Sequence, residues 1–381
     1  MTAPTTSATP AGPADPADPP GPAARTRRIA VAPTDLSPTA YVLLGPGESS
    51  VRFDRRVVLM CGLLVAVLVA VFVTSLAVGD FTISPGDVVR TLFGNPPDPL
   101  ADFIVNGRRL PRVLVAFLVG GALGASGAVF QSLSRNPLGS PDVIGFTSGA
   151  SAGAVFVILV TGGSMLQVAG GAVIGGLVTA IAVYLLAYKR GVQGFRLILV
   201  GIAAGAMLTS AVHYMLMRAE LIQAASAQVW LTGSLNTRAW DHVIAVGIGV
   251  ALIAPLLAVL SRPMRLIEMG DEAATGLGVD AERTRLGMLI AATVLAAIAV
   301  AAAGPIAFIA LSAPHLARRL TGASGAAVGA AALMGAALLG ASDLVAQWVL
   351  PSPLPVGVVT VCIGGLYLVW LLAREGRRNH V

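Results

Sequence analysis

Apolar residues in this chain come in long runs parted by short polar segments. Runs of spanning or near-spanning length fall at about 57–78, 113–130, 143–160, 165–188, 195–217, 242–260, 284–303, 306–320, 324–349 and 354–373. About 20 apolar residues in helical form cross the hydrocarbon layer of a bilayer. The pattern therefore predicts an all-α integral membrane protein with about ten transmembrane helices. The eighth run is the weakest, because Pro314 and His315 interrupt it. Glycines recur at helical spacing, as Gly120, Gly124 and Gly127, then Gly171 and Gly175, Gly201 and Gly205, Gly325 and Gly329. Small residues in such stripes let helix backbones approach closely; they predict a compact bundle and leave the cargo open.

The polar segments orient the bundle. Residues 1–50 are rich in Pro, Ala, Thr and Asp and read as a disordered tail. An apolar run after so long a tail is a first membrane helix rather than a cleavable signal. Ten spans place both termini on one side. With the termini inside, the outer segments hold only Arg90, Arg108, Arg109, Arg112, Arg218 and Arg238 of the 25 Lys and Arg. The positive-inside rule thus predicts cytoplasmic termini in the cell membrane.

One polar segment differs from the others. Residues 262–285 read RPMRLIEMGDEAATGLGVDAERTR. Leu266, Met269, Ala273 and Leu277 recur near helical spacing, with Glu268, Asp271 and Glu272 between them. Gly270, Gly276 and Gly278 predict a break into two short helices. A helix lying on an anionic inner leaflet carries a basic polar face. Here Arg265 stands alone against Glu268, Asp271 and Glu272, which suits a protein partner better than lipid. The insert is expected to be an amphipathic element offered to a cytoplasmic partner that drives or gates the membrane part.

Composition narrows the function classes. Hydrophobic residues make up 56% and charged residues 12%, against about 25% charged in soluble domains. The isoelectric point near 10.0 follows from arginines at membrane loops, so nucleic acid is not implied. Cys61 and Cys362 sit in separate runs and indicate neither a disulfide framework nor a metal site. Lys189 is the one lysine, in AYKRG, so no Walker A loop exists and ATP is not bound by that route. GRRLPR places Arg108, Arg109 and Arg112 at the outer start of the second run. They read either as interfacial anchors or as a dock for an acidic partner. The turn 135–141, RNPLGSP, reads as a fixed structural bend. Asp343 and His213 lie within runs, but toward their outer ends; His315 reads as a local helix-break contact.

Four stretches carry a family resemblance over about residues 55–375. They are RLPRVLVAFLVGGALGASGAVFQSLSRNPLGSPDVIGF (109–146), MRLIEMGDEAATGLGV (264–279), GPIAFIALSAPHLARRLTG (304–322) and LPVGVVTVCIGGLYLVWLL (354–372). The chain resembles the iron-siderophore and cobalamin permease family of ABC importers. SRNPLGSPDVIGF, EMGDEAATGLGV and GSLN (233–236) resemble the G-type subunits of ferric-enterobactin permeases within it.

The resemblance implies a permease subunit without a nucleotide site and with no cofactor or metal of its own. ATP and Mg would sit on two P-loop ATPase subunits at the cytoplasmic face. A second permease subunit would complete the path, with a heterodimer favoured by the G-type resemblance, and an extracytoplasmic binding protein would deliver the ligand. Arg265, Leu266, Glu268, Met269, Gly270, Asp271, Glu272, Ala273, Ala274, Gly276 and Gly278 match the family's coupling helices. Glu272-Ala273-Ala274 with Gly278 also matches the core of the wider EAA motif, whose Ile-x-Leu-Pro ending is absent. Arg109 and Arg112 match the arginines that meet binding-protein glutamates. Where cobalamin-type members carry a third arginine, four residues after an aspartate, this chain has Gln347 after Asp343. The expected cargo is a ferric siderophore of the catecholate type; haem or cobalamin is the alternative within the fold. A proton-coupled secondary transporter is the alternative of another class, and it requires a titrating carboxylate near the midplane.

Overall fold

A computed structural model describes residues 41–44, 51–188, 194–323, 325–349 and 352–378. The expected tail lies mostly outside the described residues. At its edge β1 (Tyr41–Leu44) pairs antiparallel with β2 (Val51–Asp54), Tyr41 opposite Asp54.

Each of the ten apolar runs holds a helix. They are α1 (Arg55–Ala77), α4 (Leu110–Ser134), α5 (Phe146–Phe156), α6 (Met165–Ala187), α7 (Gly194–Arg218), α9 (Trp240–Glu268), α11 (Ala281–Ala303), α12 (Ile309–Thr321), α13 (Val328–Leu344) and α14 (Val356–Arg378). Four short helices lie between them: α2 (Pro85–Leu92), α3 (Pro99–Asp102), α8 (Leu221–Leu231) and α10 (Asp271–Gly276). Three wider, π-helical turns extend the bundle: Phe103–Arg109 leads into α4, Val157–Thr161 continues α5, and Val345–Val349 continues α13. Among the described residues seven helices are long and apolar enough to span, and Phe146–Thr161 and Val356–Trp370 are shorter apolar helices. Helix α12, at 13 residues, is shorter than a bilayer requires.

Helices α4 and α11 form the centre, with most of each buried. Close backbone packing explains the glycines. A Cβ on Gly120 would lie 2.4 Å from the Gly335 carbonyl oxygen, and one on Gly124 would lie 2.2 Å from that of Ala331. Only glycine lets α4 and α13 meet at that distance. Gly171 and Gly175 pack against Gly153 and Gly149 in the same manner, and Gly201 and Gly205 against the Ile144–Gly145 turn. The Gly325/Gly329 stripe does not form: Gly325 sits in a turn beside Glu268, and nothing lies within 4 Å of a Cβ on Gly329. Gly335 is the contact glycine of α13.

Candidate functional site

The 262–285 insert is built differently from the two short helices its glycines suggest. Helix α9 runs unbroken through Leu266 and Ile267 to Glu268. Met269 closes it, and Gly270 turns the chain at φ 128°, ψ 148°, a conformation open to glycine. The six residues of α10 follow. Gly278, at φ 82°, then leads into α11, whose N-cap Asp280 accepts the Arg283 N–H at 3.0 Å. The helical spacing is right, but the first of the two helices is not short, because Leu266 and Ile267 form the last turn of α9.

The element therefore has an inner and an outer side. Ala274 is fully buried and Ile267 nearly so. Met269 and Leu277 are 74% and 64% exposed, and Arg265, Asp271, Glu272, Ala273 and Gly276 are exposed beside them. Leu266, Glu268 and Gly270 are half-buried, and Gly278 is exposed. The outward face joins two large apolar side chains to a carboxylate, Glu272. A cavity of about 580 Å³ opens alongside, lined by Asp271, Thr275, Asp280, Glu282 and Arg285 among others.

Polar contacts fasten this element to the bundle. Arg135, the α4 C-cap in a left-handed conformation (φ 49°), donates to the Ile267 carbonyl and to Asp271 Oδ1, both at 3.0 Å. Arg285 of α11 donates to the same Asp271 oxygen at 2.6 Å. Ser132 Oγ donates to Glu268 Oε1 at 2.5 Å. Asp271 thus joins α10 to both central helices. These partners were not legible in the sequence, since Arg135 lies 136 residues from Asp271. Its turn signals mark a bend and nothing more.

The other end of α4 carries the arginine rim. Arg109 donates to the carbonyls of Leu76 at 2.7 Å and Phe81 at 2.6 Å, fastening the end of α1. Arg112 makes a bidentate pair with Asp343 at 2.8 and 2.9 Å and donates to Asn236 Oδ1 at 2.7 Å. Gln347, one turn beyond Asp343, donates to it at 2.7 Å. The Arg112 and Asp343 side chains are 16% and 4% exposed. Arg108 is exposed, stacked over the Phe103 ring at 5.6 Å. Asp343 is therefore an ion-pair partner at the C-terminal end of α13. His213 is exposed on α7, and His315 packs edge-on against Tyr367.

Between α4 and α5 lies a group that sequence reasoning left without a role. Asp142 is half-buried; its Oδ1 accepts the Thr147 hydroxyl at 2.7 Å, while Oδ2 is shut off from solvent without a hydrogen-bond partner. Burial raises its pKa to about 6, against the opposing pull of the Thr147 hydroxyl and the Phe308 amide. Among the described residues no group of three or more His, Cys, Asp or Glu is placed to hold a metal.

Comparison with known proteins matches this geometry to a transport family. Residues 67–374 match the FecCD transport family. The ferric enterobactin transport system permease protein FepG of Escherichia coli is 46% identical over 86% of this chain and 99% of its own length. The achromobactin transport system permease protein CbrC of Dickeya dadantii is 40% identical over 85% and 95%. The hemin transport system permease protein HmuU of Yersinia pestis is 34% identical over 83% and 96%. A solved inward-facing structure, described as a metal-chelate type ABC transporter, superposes with a TM-score of 0.74 at 28% identity. The match covers 83% of this chain and 99% of that one.

Proposed function

The chain belongs to the FecCD transport family, and from that premise we propose that it is the permease subunit of an ATP-driven importer that moves a ferric siderophore across the cell membrane. The observation that carries the reading is the fastened, outward-facing element at Met269–Leu277 on a family-matching helical bundle. A permease without a P-loop needs an external source of work, and this face has the size and chemistry to receive it. The exposed Met269 and Leu277 seat in a groove of an ATPase subunit, and Glu272 meets a basic position there. Arg265, Leu266, Glu268, Gly270, Asp271, Ala273, Ala274, Gly276 and Gly278 shape or hold that face. Two ATPase subunits, which carry ATP and Mg, serve a pair of permease chains, and the pair is a heterodimer with a second, different permease.

At the outer end, Arg109 and Arg112 form the dock for an extracytoplasmic binding protein. Their inward contacts fix the guanidinium groups at the rim. The exposed partners Phe81 and Asn236 leave room there for a carboxylate to share them. The chain crosses the membrane ten times with both termini in the cytoplasm. The cargo is a catecholate-type ferric chelate, in keeping with the similarity to the ferric enterobactin permease protein; a hemin permease protein is also among the relatives. Uptake of radiolabelled ferric tris-catecholate, ferric hydroxamate and haem by a deletion strain, with and without this gene, tests the reading. Catecholate uptake restored by the gene and abolished by ATP depletion is expected. Restoration of haem alone would replace the cargo, and uptake indifferent to ATP would remove the importer assignment.

A further inference from the structure

On the Arg112 side of the bundle, α8 roofs a cavity of about 430 Å³. Its walls are Ile158, the Gly162–Gly163 turn, Val168, Ala301, Gln223, Ser226, Trp230 and Arg238. This volume lies within the range of small-molecule sites. Arg238 is the charged residue in the wall. It donates from Nε and Nη2 to the Ser234 carbonyl at 3.3 and 3.2 Å, and its Nη1 lies 3.1 Å from His242 Nε2. No carboxylate lies within ion-pair distance of it among the described residues. The charge that acts on it is Arg112, a second cation, which Asp343 already neutralises.

The histidine sharpens the imbalance. His242 Nδ1 faces the Ala239 N–H at 3.2 Å, while Nε2 faces Arg238. A neutral imidazole has one acceptor nitrogen and an imidazolium has none. At most one of those two donors is satisfied in any protonation state. A half-buried guanidinium therefore stands at a cavity wall without a counter-charge and with surplus donor capacity nearby. An unpaired buried charge is costly; an arriving anion offsets that cost.

We propose that Arg238, with Trp230, Gln223 and Ser226, forms a seat for an anionic oxygen, and that its occupant is one planar arm of a negatively charged chelate. The guanidinium fork suits a catecholate or carboxylate oxygen pair. The Trp230 indole, in the last turn of α8, offers a face to a planar ring, and Gln223 and Ser226 add neutral hydrogen-bonding groups. The cavity takes an arm rather than a whole large chelate. The inference rests on the transport reading and adds a recognition point to it. A phospholipid phosphate shares the same oxygen chemistry, and the test separates the two sources.

The experiment uses the complete transporter complex in nanodiscs of phosphatidylcholine. Gallium tris-catecholate, a trianion, is titrated against tryptophan emission, with neutral gallium tris-acetohydroxamate as the charge control. A Trp230→Phe complex assigns the signal. Saturable binding of the trianion alone is expected, weakened about tenfold to hundredfold in Arg238→Gln, as for loss of hydrogen bonds to a charged group. Gln223→Glu leaves the Ser234 contact intact, and is expected to weaken binding similarly by placing a carboxylate in the cavity. A second set of discs contains phosphatidylglycerol. If only that lipid changes the Trp230 signal, in wild type and not in Arg238→Gln, the anion seat holds and its occupant is a headgroup rather than the chelate. Equal chelate affinity in wild type and both variants, or no response to either anion, overturns the seat. Uptake of ferric tris-catecholate by the wild-type complex is measured separately, so loss of the transport reading and loss of this seat give different results.

Discussion

At the residue scale, two acids with enclosed carboxylate oxygens have opposite environments. Asp343 is matched by the Arg112 fork and Gln347, whereas Asp142 has a hydroxyl on one oxygen and no partner on the other. Removing one partner of a buried pair leaves the other charge stranded, at about 3–5 kcal/mol. Arg112→Ala is thus expected to lower the unfolding midpoint in detergent more than Arg112→Ala combined with Asp343→Ala. Equal losses would mean that the pair contributes little. Asp142 titrates from an unfolded value of 3.8 to about 6 in the fold. The folded state binds this proton more tightly, so stability is greatest below about pH 4. It falls as pH rises through 6 and is level above that. Asp142→Asn, which stays neutral, is expected to be more stable than wild type at pH 8 by roughly 3 kcal/mol, with the gain gone by pH 4. A pH-independent difference in chemical unfolding between the two would show that the fold does not shift the Asp142 pKa from its unfolded value. Neither environment was legible in the sequence. Asp343 stood out as an ionisable group in an apolar run, but its partner lies 231 residues away, and helical spacing carries no information across such distances.

At the element scale, the amphipathic element at Met269–Leu277 was legible because its signal is local. Alternating apolar and acidic positions with glycines between them describe one short amphipathic unit, whatever packs behind it. The boundary was misread for the same reason. Gly276 and Gly278 do end α10 and Gly270 parts it from α9, but Leu266 and Ile267 belong to α9 rather than to a separate short helix, because tertiary packing extends that helix. The glycine stripes divide in the same way: Gly120 and Gly124 meet α13, while Gly325 lies off the helix in a turn. Proline cannot adopt φ 128°, and it removes the Gly270 N–H donated to Ile267 at 3.1 Å. Gly270→Pro is expected to misplace α10 and abolish coupled uptake while the bundle still inserts. Among the described residues Glu272 has no hydrogen bond or ion pair for its reversal to break, and it is exposed. Glu272→Arg is expected to weaken ATPase capture about tenfold or more through like-charge contact, with added salt narrowing the gap. Pull-down of the ATPase together with uptake in vesicles reads both variants, and normal uptake in each would remove the coupling role from this element.

At the scale of the whole molecule, the number of crossings and the side that receives the ATPase are one question. Phe146–Thr161 has 16 residues, about 24 Å of helix, short of the ~30 Å hydrocarbon layer. If it crosses, five crossings separate the end of α1 from the insert, through α4, α5, α6, α7 and α9. Phe93, 81% exposed after α2, and Leu277 then lie on opposite sides of the membrane. If Phe146–Thr161 stays within one leaflet, every later helix reverses and the two residues lie on the same side. The sequence reached ten spans by counting apolar runs, and the bundle supports the run as a helix without fixing its depth. The paired glycines explain how a short helix can still cross: Gly149 and Gly153 let it lie against α6 at backbone distance, so much of its surface meets protein instead of lipid. The measurement is cysteine labelling in a background carrying Cys61→Ser and Cys362→Ser. A membrane-impermeant maleimide applied to intact cells stripped of their outer layers is expected to label Phe93→Cys and to spare Leu277→Cys until the membrane is opened. Labelling of both from outside would put the Met269–Leu277 face on the wrong side for an ATPase, and the importer geometry would fall with it.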